Sequence, residues 1–226
     1  MLVRMQIRRV VTGITADGRA EIASDSPVDA ITLSALPGLE FHRLWGVDGI
    51  PVLPSDGEPT AALPYFPTAP GLRFGLFTIP PDSTQAPEDL DIATALAEME
   101  AKLPGLAGHM ELDNPGMHTT DTVDFEFVVS GRVILELDDG VKVEVGPGDT
   151  VVQNGTRHAW RNPFDEPCQM VVALIGATRP EATSSLAVRQ KRHRVAPPGS
   201  TVPSAVALRG VRRYTNHGGG PADGAL

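Results

Sequence analysis

The sequence predicts an all-β protein whose strands form an antiparallel sandwich or barrel, of which the double-sheet jelly roll is one form. Between residues 115 and 177, short apolar segments alternate with glycine-rich turns at regular spacing. The chain of 226 residues also holds 23 glycines and 21 prolines, which favours many turns and short strands over long helices. Closure of such strands satisfies their edges and encloses a pocket.

The first part of the chain is predicted to add strands to this central stretch. Residues 5–14 read as a strand, and Asp17-Gly18 is a hairpin signal that leads into a second strand over 19–23. The segment LEFHRLWGVDG alternates apolar and polar side chains and predicts a third strand. Residues 51–70 hold six prolines and are expected to form an extended cover or loop.

One helix is predicted, between a strand over residues 72–79 and the central stretch. Its apolar side chains recur at steps of four, three and four residues and form one stripe: Ile92, Leu96, Met99 and Leu103. Asp89 or Asp91 is expected to cap the helix, and Pro104-Gly105 to end it. We favour a helix packed on the barrel wall or at a dimer contact over a lid on the pocket, because an apolar stripe is first a burial signal.

The central stretch is predicted to contain six strands, over residues 123–129, 132–137, 141–145, 150–153, 157–161 and 169–175. If the chain before them is also extended, alternation places one set of side chains on a single face: His118, Thr120, Thr122, Asp124, Glu126 and Val128. Phe125 and Phe127 are then expected to pack against a neighbouring sheet. Two carboxylates and a histidine on a buried face are costly unless they are paired, hydrated or metal-bound. The face is therefore a site or an exposed polar surface.

The spacing of the polar residues resembles the two-motif signature of the cupin superfamily. The first motif has a glycine, a His-x-His pair, a glutamate and a second glycine, and His118, Asp124 and Gly131 stand at three of those places. The second motif has a Pro-x-Gly, a later glycine, a histidine and an asparagine, and it is matched by these residues: Gly148-Asp149, Gly155, His158 and Asn162. The resemblance extends from Gly116 to Asn162.

The resemblance implies a cupin-like barrel domain over residues 1–177. It comprises a conserved core of 72–80 plus 115–177, N-terminal β-hairpin additions over 5–50 and an inserted helix over 89–104. Residues 178–226 follow as a separate segment, rich in proline and glycine, with 8 Lys/Arg against 2 Asp/Glu. They predict a basic tail or outer strand that packs on the acidic body of the same chain or of a dimer mate.

The departures from the signature bear on metal binding. Thr120 stands in place of the second histidine, Asp124 in place of the glutamate and Gln153 in place of the usual proline. The retained His118, Asp124 and His158 still correspond to a set of two histidines and one carboxylate, which non-haem Fe(II) oxygenases use with open positions for dioxygen and substrate. The resemblance thus implies that these three residues hold a divalent metal, Fe, Mn or Zn.

Three further residues are predicted to take part in the chemistry of this site. Glu126 lies on the same face as Asp124 and is expected to act as a reserve ligand or a proton acceptor. Arg157 and Trp160 flank His158 and are expected to orient an anionic or aromatic substrate.

Three functions remain open on the sequence alone. The first is a metal-dependent oxidoreductase or dioxygenase that acts on a small molecule. The second is a metal-free isomerase, dehydratase or cyclase, since a histidine and a carboxylate in an apolar cavity have shifted proton affinities and serve as acid and base. The third, of another class, is a small-molecule-binding module without chemistry, because the fold alone decides no function.

Composition narrows the partners and the compartment. A formal net charge of -9 argues against nucleic acid as a main partner. No apolar run approaches the length that spans a bilayer, and the N-terminus MLVRMQIRR lacks a signal-peptide pattern. The single cysteine, Cys168, excludes an intramolecular disulfide framework and fits a reducing compartment. We therefore expect a cytoplasmic protein, and a homodimer because the terminal strands lie outside the barrel.

Overall fold

The computed structural model describes residues 6–59 and 64–180, and within them the predicted all-β class is confirmed. These residues form eleven β-strands and one α-helix. The start of the predicted first strand lies outside the described residues. So does nearly all of the predicted basic tail, whose role stays a prediction.

An antiparallel hairpin opens the chain and forms a sheet of its own. It consists of β1 (Arg8–Ile14) and β2 (Ala20–Pro27). The predicted Asp17-Gly18 turn joins them, and Gly18 has a φ of 83°, a left-handed conformation that glycine adopts without strain. The next two strands, β3 (Ile31–Leu33) and β4 (Leu36–Val47), belong instead to the main sheet.

The main sheet has six strands in the order β3-β4-β5-β11-β6-β9. Its remaining members are β5 (Leu72–Ile79), β6 (Thr122–Ser130), β9 (Thr150–Asn154) and β11 (Cys168–Gly176), and every neighbouring pair is antiparallel. The last long strand, β11, therefore lies at the centre between β5 and β6. Consequently, the inward side chains of β4, β5, β6 and β11 form rows across the sheet.

A second, three-stranded sheet covers the other side of the core. Its order is β10-β7-β8, formed by β7 (Val133–Glu136), β8 (Lys142–Val145) and β10 (Ala159–Arg161). Buried side chains of both sheets share one hydrophobic core, in which Val133 and Val145 of the small sheet join Phe77, Val128 and Met170 of the large one. The site residues lie on or beside these two inner faces.

The helix α1 (Ile92–Lys102) is present as predicted, capped by Asp91, whose carboxylate accepts a hydrogen bond from the backbone N–H of Ala93. The predicted stripe is only half right. Ile92 is 62% exposed and Leu96 43%, whereas Ala95 and Leu103 are buried. The helix packs beside β3, where Glu98 accepts a hydrogen bond from the backbone N–H of Ser34 and Lys102 donates one to the carbonyl of Thr32, so its buried face is rotated away from Ile92.

For β6, the predicted packing of the two phenylalanines is wrong. Phe125 and Phe127 do not pack against the second sheet, because their side chains are 48% and 45% exposed on the outer face. Asp124 and Glu126 lie on the inner face and are almost wholly buried. The carboxyl groups thus replace aromatic side chains inside the core, which is the costlier of the two arrangements.

Candidate functional site

His118 and His158 come together across two short extended segments. The two residues form an antiparallel bridge, in which each backbone N–H donates to the carbonyl of the other at 2.9 and 3.0 Å. Their ring centroids are 4.3 Å apart, with an angle of 50° between the ring planes. The sequence therefore located this pair correctly.

Hydrogen bonds to the backbone fix the tautomer of each imidazole. Nδ1 of His118 lies 3.0 Å from the carbonyl oxygen of Gly116, and Nδ1 of His158 lies 2.9 Å from that of Thr156. A carbonyl oxygen only accepts, so each Nδ1 carries the hydrogen and each Nε2 keeps its lone pair. Desolvation lowers the pKa of His118, and desolvation together with the His118 ring lowers the pKa of His158 to about 4. Both rings are neutral at neutral pH.

Arg157, predicted to orient a substrate, instead holds the loop that carries His118. Its Nε and Nη2 donate to the two carboxylate oxygens of Glu111 at 2.7 and 2.6 Å, and its Nη1 donates to Asp138 at 2.8 Å. Glu111 in turn donates its backbone N–H to the carbonyl of Met117, next to His118. A bidentate guanidinium–carboxylate pair has a well-defined geometry. We therefore assign to Arg157 the role of holding in place the loop that carries His118.

Asp124 and Glu126 form a second pair, on the inner face of β6. Burial raises the pKa of Asp124 to about 6. Burial, with the neighbouring Asp124 charge as a smaller cause, raises the pKa of Glu126 to about 8. At neutral pH the Glu126 carboxyl is therefore mainly protonated while Asp124 is mainly ionised, so one residue of the pair is an acid and the other a base.

Three buried polar atoms lie side by side on this face with no hydrogen-bond partner among the described residues. They are Oδ1 of Asp124, Oε2 of Glu126 and Nε2 of Gln153. Gln153 lies directly opposite Asp124 in the β6–β9 register, at the place where the motif has a proline. Buried polar groups in proteins are almost always paired, so ordered water or a bound molecule is expected to supply the missing hydrogen bonds of this cluster.

Trp160 and Tyr65 both lie near the Glu126 carboxyl. The indole N–H of Trp160 donates to Glu126, an interaction that favours the ionised carboxylate and acts against the effect of burial. Desolvation raises the pKa of the Tyr65 hydroxyl far above its usual value, and the charges of Glu126 and Asp124 raise it further. The sequence predicts Trp160 as a substrate-orienting residue, and the structure places it against the acid.

Aromatic side chains connect the histidine pair with the carboxyl pair. Successive ring contacts, with centroids between 4.3 and 6.3 Å apart, run through Phe41, Tyr65, Phe66, His118, His158 and Trp160. This chain of rings approaches Glu126 twice, through Tyr65 and through Trp160. The interior between the two sheets is thus lined by rings and by the Asp124–Glu126 pair.

The predicted three-residue metal set does not fit this arrangement. Within residues 6–59 and 64–180, no group of three His, Cys, Asp or Glu side chains converges closely enough to hold a metal ion. The two imidazoles do meet, but Asp124 is not grouped with them. Thr120, which stands in place of the second histidine, is buried and shares a hydrogen bond of 2.7 Å with the hydroxyl of Thr122.

Two motif residues have structural roles. Asn162 is fully buried, and its side-chain amide donates to the carbonyls of Ile79 and Glu166 while its oxygen accepts from the N–H of Phe164. Gly131 has a φ of 71°, and a Cβ there would lie 2.3 Å from the carbonyl oxygen of Pro167. The motif asparagine and glycine thus hold turns beside the site without reaching into it.

The structure adds residues that the sequence did not single out. A cavity beside β4, β5 and β11 is lined by Phe41, Arg43, Trp45, Tyr65, Val172 and Leu174, among others. None of the six predicted site residues lines it, but Tyr65 belongs both to this cavity and to the surroundings of Glu126. The sequence signal for Tyr65 is an aromatic pair, Tyr65-Phe66, within a proline-rich segment predicted to be a cover.

Comparison with known proteins bears on the family of this region. The model of the Cupin domain matches residues 109–174, which include both histidines and both carboxylates. The chain contains a cupin domain. This confirms the resemblance read from the two motifs and fits the jelly-roll arrangement of the two sheets.

Curated relatives of the cupin chain match it over a short segment. Oryzines biosynthesis cluster protein J of Aspergillus oryzae is 49% identical over 49 residues, which are 22% of this chain and 27% of that protein. Phomopsin biosynthesis cluster protein C' of Diaporthe leptostromiformis is 44% identical over 46 residues, or 20% and 24% of the two chains. The chain thus spans about a quarter of the length of these relatives.

Among solved structures, the chain resembles a Cupin 2 conserved barrel domain protein from Salinispora arenicola. The two are 17% identical with a TM-score of 0.32, over 70% of this chain and 88% of the other. In the described part of the cupin chain, no helix has the length and apolar character needed to cross a membrane.

Proposed function

We propose that this cupin is a small-molecule enzyme that catalyses proton transfer, as an isomerase, dehydratase or cyclase, with Glu126 as the acid and Asp124 as the base. The observation that carries the proposal is the buried cluster of Asp124, Glu126 and Gln153, with three polar atoms left for a bound molecule. Two titratable groups whose surroundings separate their pKa values are the usual basis of acid and base assignments. Relatives named for oryzine and phomopsin biosynthesis support a small-molecule substrate.

The proposed chemistry balances for a dehydration. The Asp124 carboxylate takes a proton from a substrate carbon, the electron pair of that C–H bond forms the new double bond, and the C–O bond breaks as Glu126 gives its proton to the leaving hydroxyl. Water is released, and proton exchange with solvent restores both carboxyl groups. In an isomerisation the same two groups remove and return a proton at different atoms, and the neutral Nε2 atoms of His118 and His158 accept hydrogen bonds from substrate hydroxyls.

Exchange of carbon-bound hydrogen with solvent deuterium tests this proposal before the substrate and product of the natural reaction are identified. The full chain is incubated in D2O with a panel of small hydroxy-carbonyl compounds, and NMR follows deuterium uptake at carbon and loss of water. Glu126→Gln is expected to slow the reaction by about 10²–10⁴-fold, while Glu144→Gln, an exposed carboxylate paired with Arg132, leaves it unchanged. A Glu126→Gln enzyme as fast as the unaltered one contradicts the proposal.

A second candidate is a metal-dependent oxidoreductase, favoured by the pinned histidine pair. A histidine that donates Nδ1–H to a backbone carbonyl presents Nε2 as metal-ligating imidazoles do. The absence of a third grouped ligand in the described residues weighs against it. Elemental analysis of protein purified without a histidine tag distinguishes the candidates: stoichiometric Fe, Mn or Zn that is lost in His158→Ala supports the metal, and metal-free protein with full activity supports the acid–base pair.

A further inference from the structure

The outer face of the main sheet, which is turned away from the carboxyl pair, is apolar and open. Five large apolar side chains on it are 41–52% exposed: Phe74 of β5, Phe125 and Phe127 of β6, Val152 of β9 and Ile175 of β11. Single exposed apolar side chains are ordinary on a protein surface. A contiguous patch of them indicates a place where another surface binds.

The strand pairings show that these side chains form one patch. Val152 lies opposite Phe125, Phe125 opposite Ala173 and Ala173 opposite Phe74, so one apolar row crosses four strands. The rows on either side of it are apolar on β6, β11 and β5 as well: Val123, Ile175 and Leu72 in one, Phe127, Val171 and Leu76 in the other. The exposed side chains are therefore neighbours and not scattered.

The patch carries no charged side chain. Its three rows occupy twelve positions on β5, β6, β9 and β11, and none of the twelve is Asp, Glu, Lys or Arg. The polar residues among them, Thr150 and Asn154, both lie on β9, at the edge of the sheet. An apolar centre depleted of charge, with polar groups at its margin, is typical of a protein–protein interface.

The strands themselves are patterned for cover on both faces. In an antiparallel sheet with one solvated face, apolar and polar side chains alternate along each strand, whereas a strand covered on both faces is a continuous apolar run. The central strand β11 is such a run from Met170 to Ile175. The pattern of β6 also requires cover outside, because Phe125 and Phe127 are the outward side chains.

The size of the patch suits a specific contact. With strands about 4.8 Å apart and same-face residues about 6.8 Å apart along each strand, its positions cover roughly 390 Å² in projection. The accessible surface of projecting side chains exceeds their projection, so two such patches together bury about 1,000 Å², where specific interfaces begin.

Charge favours a second copy of the same face as the occupant. The chain has a formal net charge of -9, so like charge opposes the approach of two copies, and this opposition is weakest at an uncharged face. Residues 181–226 hold 7 Lys/Arg against 2 Asp/Glu, and the patch offers no carboxylate to these cations. An anionic membrane surface requires basic side chains, which the patch also lacks.

We propose that two copies of this chain associate through the outer faces of their main sheets, about a twofold axis, with Phe125 and Phe127 of each copy packed against the sheet of the other. Face-to-face packing of two sheets in a self-complementary contact is a common arrangement. The strand β6 then carries the carboxyl pair on one face and the contact on the other. The association does not depend on the acid–base function proposed for Glu126.

Sedimentation velocity of the full chain at about 1–100 μM tests the association. A species of twice the 23.9 kDa chain mass is expected. Phe125→Glu is expected to raise the dissociation constant roughly a hundredfold or more, because each dimer loses two buried rings and gains two charges in an apolar contact. Ile22→Glu is the matched control, since Ile22 is an apolar strand residue, 59% exposed, on the separate β1–β2 sheet.

A second variant covers the case in which Phe125→Glu does not fold, as judged by circular dichroism. Val152→Glu places the same charge on the edge strand β9, at a side chain that is 52% exposed. A full chain that stays monomeric at about 100 μM overturns the proposal. So does a dimer that persists in folded Phe125→Glu or Val152→Glu, or one that Ile22→Glu weakens equally.

Photo-crosslinking identifies the occupant directly. With p-benzoylphenylalanine in place of Phe125, the full chain is irradiated with and without phosphatidylcholine vesicles, and mass spectrometry locates the linked site. A covalent dimer joined to the main sheet of a second copy is expected. Crosslinks to residues 181–226 of the same chain, or to lipid, in place of that dimer would show that another occupant covers the face and overturn the proposal.

Discussion

Burial disfavours the charged forms of both the histidine pair and the carboxyl pair, yet the two pairs are held in different ways. His118 and His158 are fixed in orientation, because each Nδ1 is hydrogen-bonded to a backbone carbonyl and their backbones bridge each other. Asp124 and Glu126 are fixed by their strand, but each leaves an oxygen without a partner among the described residues. The first pair is built for position and the second for a change of protonation, which is why we assign the chemistry to the second.

The largest expected effect separates these two roles directly. Glu126→Gln is expected to lower kcat by about 10²–10⁴-fold, because the amide has no proton to give. His158→Gln is expected to raise KM more than it lowers kcat, because it removes a positioned acceptor. Steady-state kinetics on any substrate found by the exchange screen makes the comparison. The opposite ranking assigns the chemistry to the histidines.

The second effect is on stability, and its sign follows from the pKa of Glu126. That pKa rises from 4.5 to about 8 on folding, so between those values the folded protein holds one more proton and stability is lost as pH rises. Asp124 contributes in the same sense only up to about pH 6, and His158, whose pKa falls to about 4, opposes both only below 6.5. Between pH 6.5 and pH 8, Glu126 therefore makes the main contribution to the pH dependence of stability.

Urea unfolding between pH 6.5 and 8 measures this effect. The free energy of unfolding is expected to fall by about 1.4 kcal/mol per pH unit as pH rises. In Glu126→Gln the same plot is expected to be flat over that range. A slope that persists unchanged in this variant shows that another group is responsible.

The third effect tests the indole beside the acid. Trp160→Phe removes the N–H that stabilises the Glu126 carboxylate, so the pKa of Glu126 is expected to rise above about 8 and the loss of stability to extend to higher pH. The lost hydrogen bond costs about 1–3 kcal/mol when the carboxyl is ionised. Trp45→Phe is the control, since the Trp45 ring lies under the Arg9 guanidinium and lines the cavity beside β4, β5 and β11. An identical pH profile in both variants contradicts the assignment.

The smallest effect concerns the ion pair behind the histidines. Arg157 and Glu111 are partly exposed, so Arg157→Gln is expected to change the stability of the protein only slightly. The His118 pKa is nevertheless expected to rise, because the unpaired Glu111 charge raises it and the loosened loop admits water. NMR titration measures this shift, and Arg132→Gln, which breaks the exposed pair with Glu144, serves as control.

The sequence predicted the fold and the proximity of the two histidines, but not the arrangement of the other residues around them. Alternation located the strands, and the two motifs brought His118 next to His158. It left open whether the face with Asp124 and Glu126 forms a site or an exposed surface, and it placed Phe125 and Phe127 against a neighbouring sheet, because an apolar face is usually the buried one. Functional sites are where such local rules are expected to fail. Tyr65 carries no motif and lies on no strand, and it comes near Glu126 through packing that spacing along the chain does not encode.

Tyr65 and Phe66 contribute two of the rings inside the domain, yet they lie on no strand. They come from the irregular segment before β5 and take part in no strand pairing. A change of amino acid at either position therefore alters the interior between the two sheets without removing a strand pairing. Substitutions at Tyr65 or Phe66 are therefore a direct way for the specificity of this protein to change during evolution.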